Sequence, residues 1–116
     1  MKAHEKLNYV ELPAHDLSRT KKFFSAVFDW IFEDYGPGYT AFTNQGLDGG
    51  FYQSELKSLT SHGAALLVFY SDDLVSTQSK IETHGGEITK PIFSFPGGRR
   101  FHFTEPSGNE FAVWSD

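Results

Sequence analysis

Phe101-His102-Phe103-Thr104-Glu105-Pro106-Ser107-Gly108-Asn109-Glu110-Phe111-Ala112-Val113-Trp114 is the stretch that decides the fold. Two runs of alternating apolar and polar residues flank a turn that carries Pro and then Gly. Pro106 presets the φ of the first corner of a type I turn, and Gly108 suits the positive φ that closes a bulged hairpin. In the second run Phe111 and Val113 share one face, and Glu110, Ala112 and Trp114 share the other. The first face reads as core. The second combines an acid, a very small residue and a large aromatic, which suits a cavity wall.

Working outward, the rest of the chain falls into two matching halves. Leu7 to Leu12 alternates as a strand that Pro13 ends, with Tyr9 and Glu11 opposite Val10 and Leu12. Asp16 is an N-cap for a helix over 17–28, with Leu17, Thr20, Phe24, Val27 and Phe28 as its stripe. Strands follow at 30–35, 39–43 and 51–53, and 54–61 is a polar connector. The second half repeats the order: a strand over 64–70, an N-cap at Asp72 or Asp73, and a stripe of Leu74, Thr77 and Ile81. Gly85-Gly86 stops that helix. A strand over 87–93, the turn Pro96-Gly97-Gly98 and the opening hairpin complete it.

Asp16 and Asp73 lie 57 positions apart. The same offset superposes Thr20 on Thr77, Phe24 on Ile81 and Ile31 on Ile88. The expectation is an α+β domain over 1–116 built of two βαβββ repeats, about 7–53 and 62–115, joined by 54–61. Each sheet carries a helix on one face and leaves the other bare, so the bare faces curl into a shared concavity. Val10, Leu12, Leu67, Phe69, Phe111 and Val113 go under helices. If Phe101 and Phe103 do likewise, Arg100 and His102 face the concavity.

Composition narrows the function. A chain of 116 residues is long enough for one core, and 12 Phe, 5 Tyr and 2 Trp fill it with few large side chains. With no Cys, disulfides, thiolate metal sites and a cysteine nucleophile are ruled out, and a reducing cytoplasm is the expected compartment. The polar start lacks the apolar stretch of a secretory signal, and the longest apolar run, 64–70, is too short to cross a bilayer. A net charge of −5 argues against nucleic acid. Arg99-Arg100, the one basic doublet in Gly-rich context, reads as a solvated turn.

The motifs resemble a known family. Tyr9-Val10-Glu11-Leu12-Pro13-Ala14-His15-Asp16-Leu17, Phe23-Phe24-Ser25-Ala26-Val27-Phe28-Asp29-Trp30, Gly85-Gly86 and Glu105-Pro106-Ser107-Gly108-Asn109 are similar to the glyoxalase/bleomycin-resistance/extradiol-dioxygenase superfamily, also called vicinal oxygen chelate. The resemblance covers about Leu7 to Trp114. It implies a paired βαβββ fold, a homodimer, and a ligand site in the curled sheet where enzymes hold a divalent metal through His, Gln or Glu. Those ligand positions fall here on Tyr9, Leu66, Ala112 and either Gly50 or Tyr52. Leu and Ala donate no lone pair, and a phenol with a reference pKa of about 10 ligates a divalent ion poorly at neutral pH. No metal and no cofactor are therefore expected.

The remaining candidates line the bare faces: Tyr9, Glu11, Tyr52, Leu66, Val68, Arg100, His102, Glu110, Ala112 and Trp114. Glu11 and Glu110 are costly on a cavity wall unless paired, and would receive a cationic or aromatic small molecule stacked on Trp114 or Tyr9. His4, His15, His62 and His84 read as surface residues. A metal-free small-molecule binding protein is the leading expectation. One alternative is a metal-dependent lyase, isomerase or dioxygenase using Glu11, His102 and Glu110. Another is an interaction module that presents Phe93, Phe95 and Phe101 as an apolar patch.

Overall fold

The computed structural model describes residues 2–116. Its first half runs β1 (Tyr9–Ala14), α1 (Leu17–Phe28), β2 (Phe32–Asp34), β3 (Tyr39–Phe42) and β4 (Asp48–Gln53). The second runs β5 (Leu67–Tyr70), α2 (Leu74–Thr83), β6 (Glu87–Phe95), β7 (Gly98–Thr104) and β8 (Glu110–Ser115), after a short 3-10 turn at Thr60–His62. The strands form two separate four-stranded sheets, ordered β1-β4-β3-β2 and β5-β8-β7-β6. In each, the first strand pairs parallel with the last and the other pairings are antiparallel. This is the doubled βαβββ plan, an α+β fold.

Local chemistry accounts for the repetition. The Asp16 carboxylate accepts from the Arg19 N–H at 3.0 Å, and Asp73 accepts from the Ser76 N–H at 3.1 Å, so equivalent caps start both helices. Thr20, Phe24 and Val27 are buried on α1, and Leu74, Thr77 and Ile81 on α2. Phe23 is buried as well, which widens the α1 stripe beyond expectation. Phe24 is the centre of the core. Its ring lies 4.5 Å from Trp30, 5.6 Å from Phe51 and 5.4 Å from Phe111, so α1 serves both sheets at once. Truncating such a side chain to Ala costs roughly 3–5 kcal/mol.

Several strand ends differ from expectation. β1 begins at Tyr9, whose partner Asp48 is the first residue of β4; Leu7 has nothing to pair with and is 93% exposed. Pro13 does not end β1, because an edge strand tolerates a missing N–H on its free side. Trp30 is held outside β2: Asp29 turns left-handed (φ 60°) and the Ser25 hydroxyl donates to the Trp30 carbonyl, which wedges the indole into the core. Ile31 then points to solvent at 82% exposure, so its match with Ile88 fails. β5 starts at Leu67 rather than Ala64, and the Glu110 N–H at that end of β8 goes to Ser58 instead.

The connector 54–61 is fastened to both halves. The Ser54 N–H donates to Ala14 and the Ser58 N–H to the Asn109 side chain. The turn of the last hairpin closes as expected, with Gly108 at φ 91° and its N–H on the Glu105 carbonyl at 2.7 Å. Beneath it Glu105 is 2% exposed. Its carboxylate accepts from the Thr20 hydroxyl (2.7 Å), the Ser107 N–H (2.8 Å) and the Asn109 amide (2.6 Å). The same amide donates to the Pro13 carbonyl. The Glu105-Pro106-Ser107-Gly108-Asn109 motif thus clips the second sheet to the N-terminal turn of α1. Burial outweighs these bonds and raises the Glu105 pKa above the ordinary carboxylate value.

Candidate functional site

The candidate residues lie on the faces of the two sheets that the helices leave bare, and they fall into two groups. On the first sheet, the Tyr39 hydroxyl donates to Glu11 at 2.9 Å and meets the Tyr9 hydroxyl at 2.6 Å. Burial, then the bonds to Tyr9 and Glu11, push the Tyr39 pKa up. Tyr52 pairs with Tyr39 across β3 and β4. Glu11 and Tyr52 also border a cavity of about 430 Å³ between the sheets, with Leu56, Lys57, His62 and Ala64.

On the second sheet, β7 carries Arg100 and His102 toward the bare face, because Phe101 and Phe103 are buried on the helix side. Phe101 is core and takes no part in a surface patch; Phe93 and Phe95 are half-buried. Arg99 is exposed, but Arg100 is half-buried and lies in β7 rather than in a turn. Its guanidinium lies 5.3 Å from the Phe93 ring centre and 5.6 Å from that of Phe95. Phe95 and Tyr70 both approach Trp114. Val68 is exposed on edge strand β5, Leu66 precedes that strand, and Ala112 is buried beside His102.

His102 is the most enclosed polar group of this face, 2% exposed. Its Nδ1 is 2.8 Å from Glu110 Oε2. The other Glu110 oxygen accepts from the N–H and the hydroxyl of Thr60, both at 2.9 Å. Partial burial raises the Glu110 pKa, but the bonds from His102 and Thr60 outweigh it and leave the carboxyl below its ordinary value. A carboxylate only accepts, so in the neutral ring Nδ1 holds the proton and Nε2 carries the lone pair. That Nε2 and the Nε of Arg100 are buried without a partner among the described residues. His4, His15, His62 and His84 are exposed.

Strand register decides which residues occupy equivalent places. Glu11 pairs with Gly50, and Val68, its counterpart at the offset of the two caps, pairs with Ala112. Gly50 is therefore the equivalent of Ala112, and Tyr52 is not. The space above Gly50 is taken by Tyr39, whose phenol a Cβ at Gly50 would overlap. Tyr9, Leu66, Gly50 and Ala112 together supply one phenol and no carboxylate, imidazole or amide, a donor set that does not fit a divalent metal. Among the described residues no three of His, Asp and Glu are grouped to hold an ion, and Glu11 stays on the other sheet from His102 and Glu110.

Residues 6–113 match the profile of the Glyoxalase/Bleomycin resistance protein/Dioxygenase superfamily, and the chain belongs to that family. It is 27% identical over 124 residues to the anthracycline biosynthesis protein DnrV of Streptomyces peucetius, covering 91% of this chain and 45% of that protein. The chain thus spans a little under half the length of that relative. Among solved structures, a glyoxalase-related enzyme from Fulvimarina pelagi superposes with a TM-score of 0.79 at 15% identity, covering 97% of this chain and 88% of the other. The fosfomycin resistance protein FosX from Mesorhizobium loti gives 0.75 at 17% identity, covering 98% and 94%. These two likenesses concern the fold.

Tyr39 and Thr60 are the site residues that sequence reasoning missed. Gly50 becomes a signal for Tyr39 only once β4 is seen to begin at Asp48 rather than at 51, since a glycine inside a strand marks a close approach. Nothing local announces Thr60, whose bond to Glu110 spans the connector.

Proposed function

We propose that the chain binds an aromatic small molecule on the bare face of its second sheet, without a metal at the family's ligand positions. His102 carries this reading. Buried polar atoms ordinarily find partners, yet its Nε2 and the neighbouring Arg100 Nε have none. They offer an acceptor and a donor two residues apart on one strand. A ring bearing a hydroxyl beside a carbonyl or carboxylate answers both, and Phe93, Phe95 and Trp114 supply surfaces to stack on. Kinship with proteins named for anthracycline biosynthesis and fosfomycin resistance supports a small-molecule role.

A purely cationic ligand is the poorer fit. Both Glu110 oxygens are engaged within the chain, Glu11 accepts from Tyr39, and Arg100 has no acidic partner among the described residues. A homodimer would bring the Glu11 face of one copy toward the Arg100 face of another, which fits the opposite charges of the two faces. The absence of cysteine suits a cytoplasmic setting, and among the described residues no helix is long and apolar enough to cross a membrane.

Calorimetric titration of chelator-treated protein with a hydroxynaphthoate tests the proposal. Saturable binding is expected, weakened about tenfold or more by Arg100→Ala and by His102→Ala. Binding that appears only after a divalent metal is added, or that neither substitution affects, would overturn it.

A further inference from the structure

A second cavity, of about 490 Å³, opens between the edge strands of the two sheets, and it shares only Val68 and Tyr70 of β5 with the face discussed above. Val10 of β1 and Leu67, Val68 and Tyr70 of β5 line it, with Trp30, Phe42, Phe69 and Phe111 as an aromatic floor. The loop 45–47 closes one end. None of Arg100, His102, Glu110 or Trp114 borders it.

We infer that this cavity is a separate binding site for a flat, uncharged aromatic molecule with one polar end. Its volume falls within the roughly 300–1,000 Å³ of small-molecule sites. The floor is built of stacked rings: Trp30 lies 4.2 Å from Phe42, and Phe69 lies 4.2 Å from Phe28 at an interplanar angle of 2°. A planar guest extends such a stack with offset or edge contacts. No charged side chain lines the cavity, so a guest's charge would be desolvated without compensation. Apart from the Tyr70 hydroxyl, which donates to Asp116, the side-chain polar group of the lining is the Gln45 amide in the loop, where 45–47 also offer their peptides. The loop is framed by positive φ at Asn44 (64°) and Gly46 (87°), which turns the chain sharply and presents Leu47 to the cavity.

The two sites differ in the charge they accept, which gives the test. The Trp114→Phe variant leaves Trp30 as the sole tryptophan. Naphthalenemethanol, neutral with one hydroxyl, is titrated into it and Trp30 emission is followed; naphthoate, of the same ring size but anionic, is titrated in parallel. Expected are saturable quenching by the neutral probe, weaker binding of naphthoate, at least tenfold loss of the neutral probe in Leu47→Trp, and no change in Arg100→Ala. Leu47 is a loop residue, and a thermal melt confirms that its variant is folded. Sedimentation is run on the same samples. The inference falls if the neutral probe does not saturate, if Arg100→Ala abolishes its binding while Leu47→Trp does not, or if Leu47→Trp instead dissociates a dimer, which would make the cavity a contact between copies. Failure of the hydroxynaphthoate titration would leave this result untouched, since that ligand reads the other face.

Discussion

Tyr39 stands on Gly50: the phenol fills the volume that any side chain at position 50 would occupy, and the register makes this position the twin of Ala112. The first sheet has thus filled this place with an aromatic from the neighbouring strand. Gly50→Ala should cost about 1–3 kcal/mol through overpacking. Removing the phenol in Tyr39→Ala/Gly50→Ala should recover part of that loss, so the double-mutant cycle in urea should show coupling of about 0.5 kcal/mol or more. Additive effects would mean that the two residues do not compete for space.

The Glu105 clip predicts a pH signature. Its folded pKa lies above the ordinary 4.5 because of burial. The folded state therefore holds this proton more tightly than the unfolded chain does. The group's contribution is complete below about 4.5 and is lost as pH rises through the raised value. Glu105→Gln should abolish this component of the stability–pH curve. It should also cost roughly 1–3 kcal/mol, because an amide N–H would face the Asn109 amide. Urea unfolding of both proteins across the acid range checks the sign.

Glu110 should behave in the opposite sense. Its folded pKa is below the ordinary value, so its contribution is present above about 4.5 and is lost as pH falls through the folded value. Long-range nitrogen NMR of the neutral His102 ring should show a protonated Nδ1 and a bare Nε2. In Glu110→Ala that tautomer preference should disappear.

The two N-caps make equivalent bonds at matching places in the two repeats. Asp16→Ala and Asp73→Ala should each destabilise by about 0.5–2 kcal/mol. They should add in the double variant, because the caps share no partner. A near-zero cost at either position, measured by thermal or urea unfolding, would show that its cap is not a structural start signal.

What could be read from the chain in advance was the part set by short-range chemistry. Asp16 and Asp73 announce their helices by side-chain type and spacing, and Pro106 with Gly108 announces the hairpin. The alternation of 110–114 sorts its residues between two faces correctly. What could not be read depends on partners far away in the chain. Glu105 looks like a turn residue until Thr20, from the first half, reaches its carboxylate. Arg100 looks like a turn residue until β7 sets its guanidinium against Phe93 and Phe95. Gly50 and Tyr52 are equally good equivalents of Ala112 until the pairing of β1 with β4 chooses between them.

The central proposal is that the family's ligand positions hold no metal here and that His102 and Arg100 receive the ligand instead. Its most direct test is elemental analysis of protein purified without chelator and again after dialysis against Mn, Ni and Zn, with hydroxynaphthoate binding measured on each sample. The account predicts far less than one ion per chain and the same affinity throughout. One tightly held ion per chain, with binding lost when it is stripped, would contradict it.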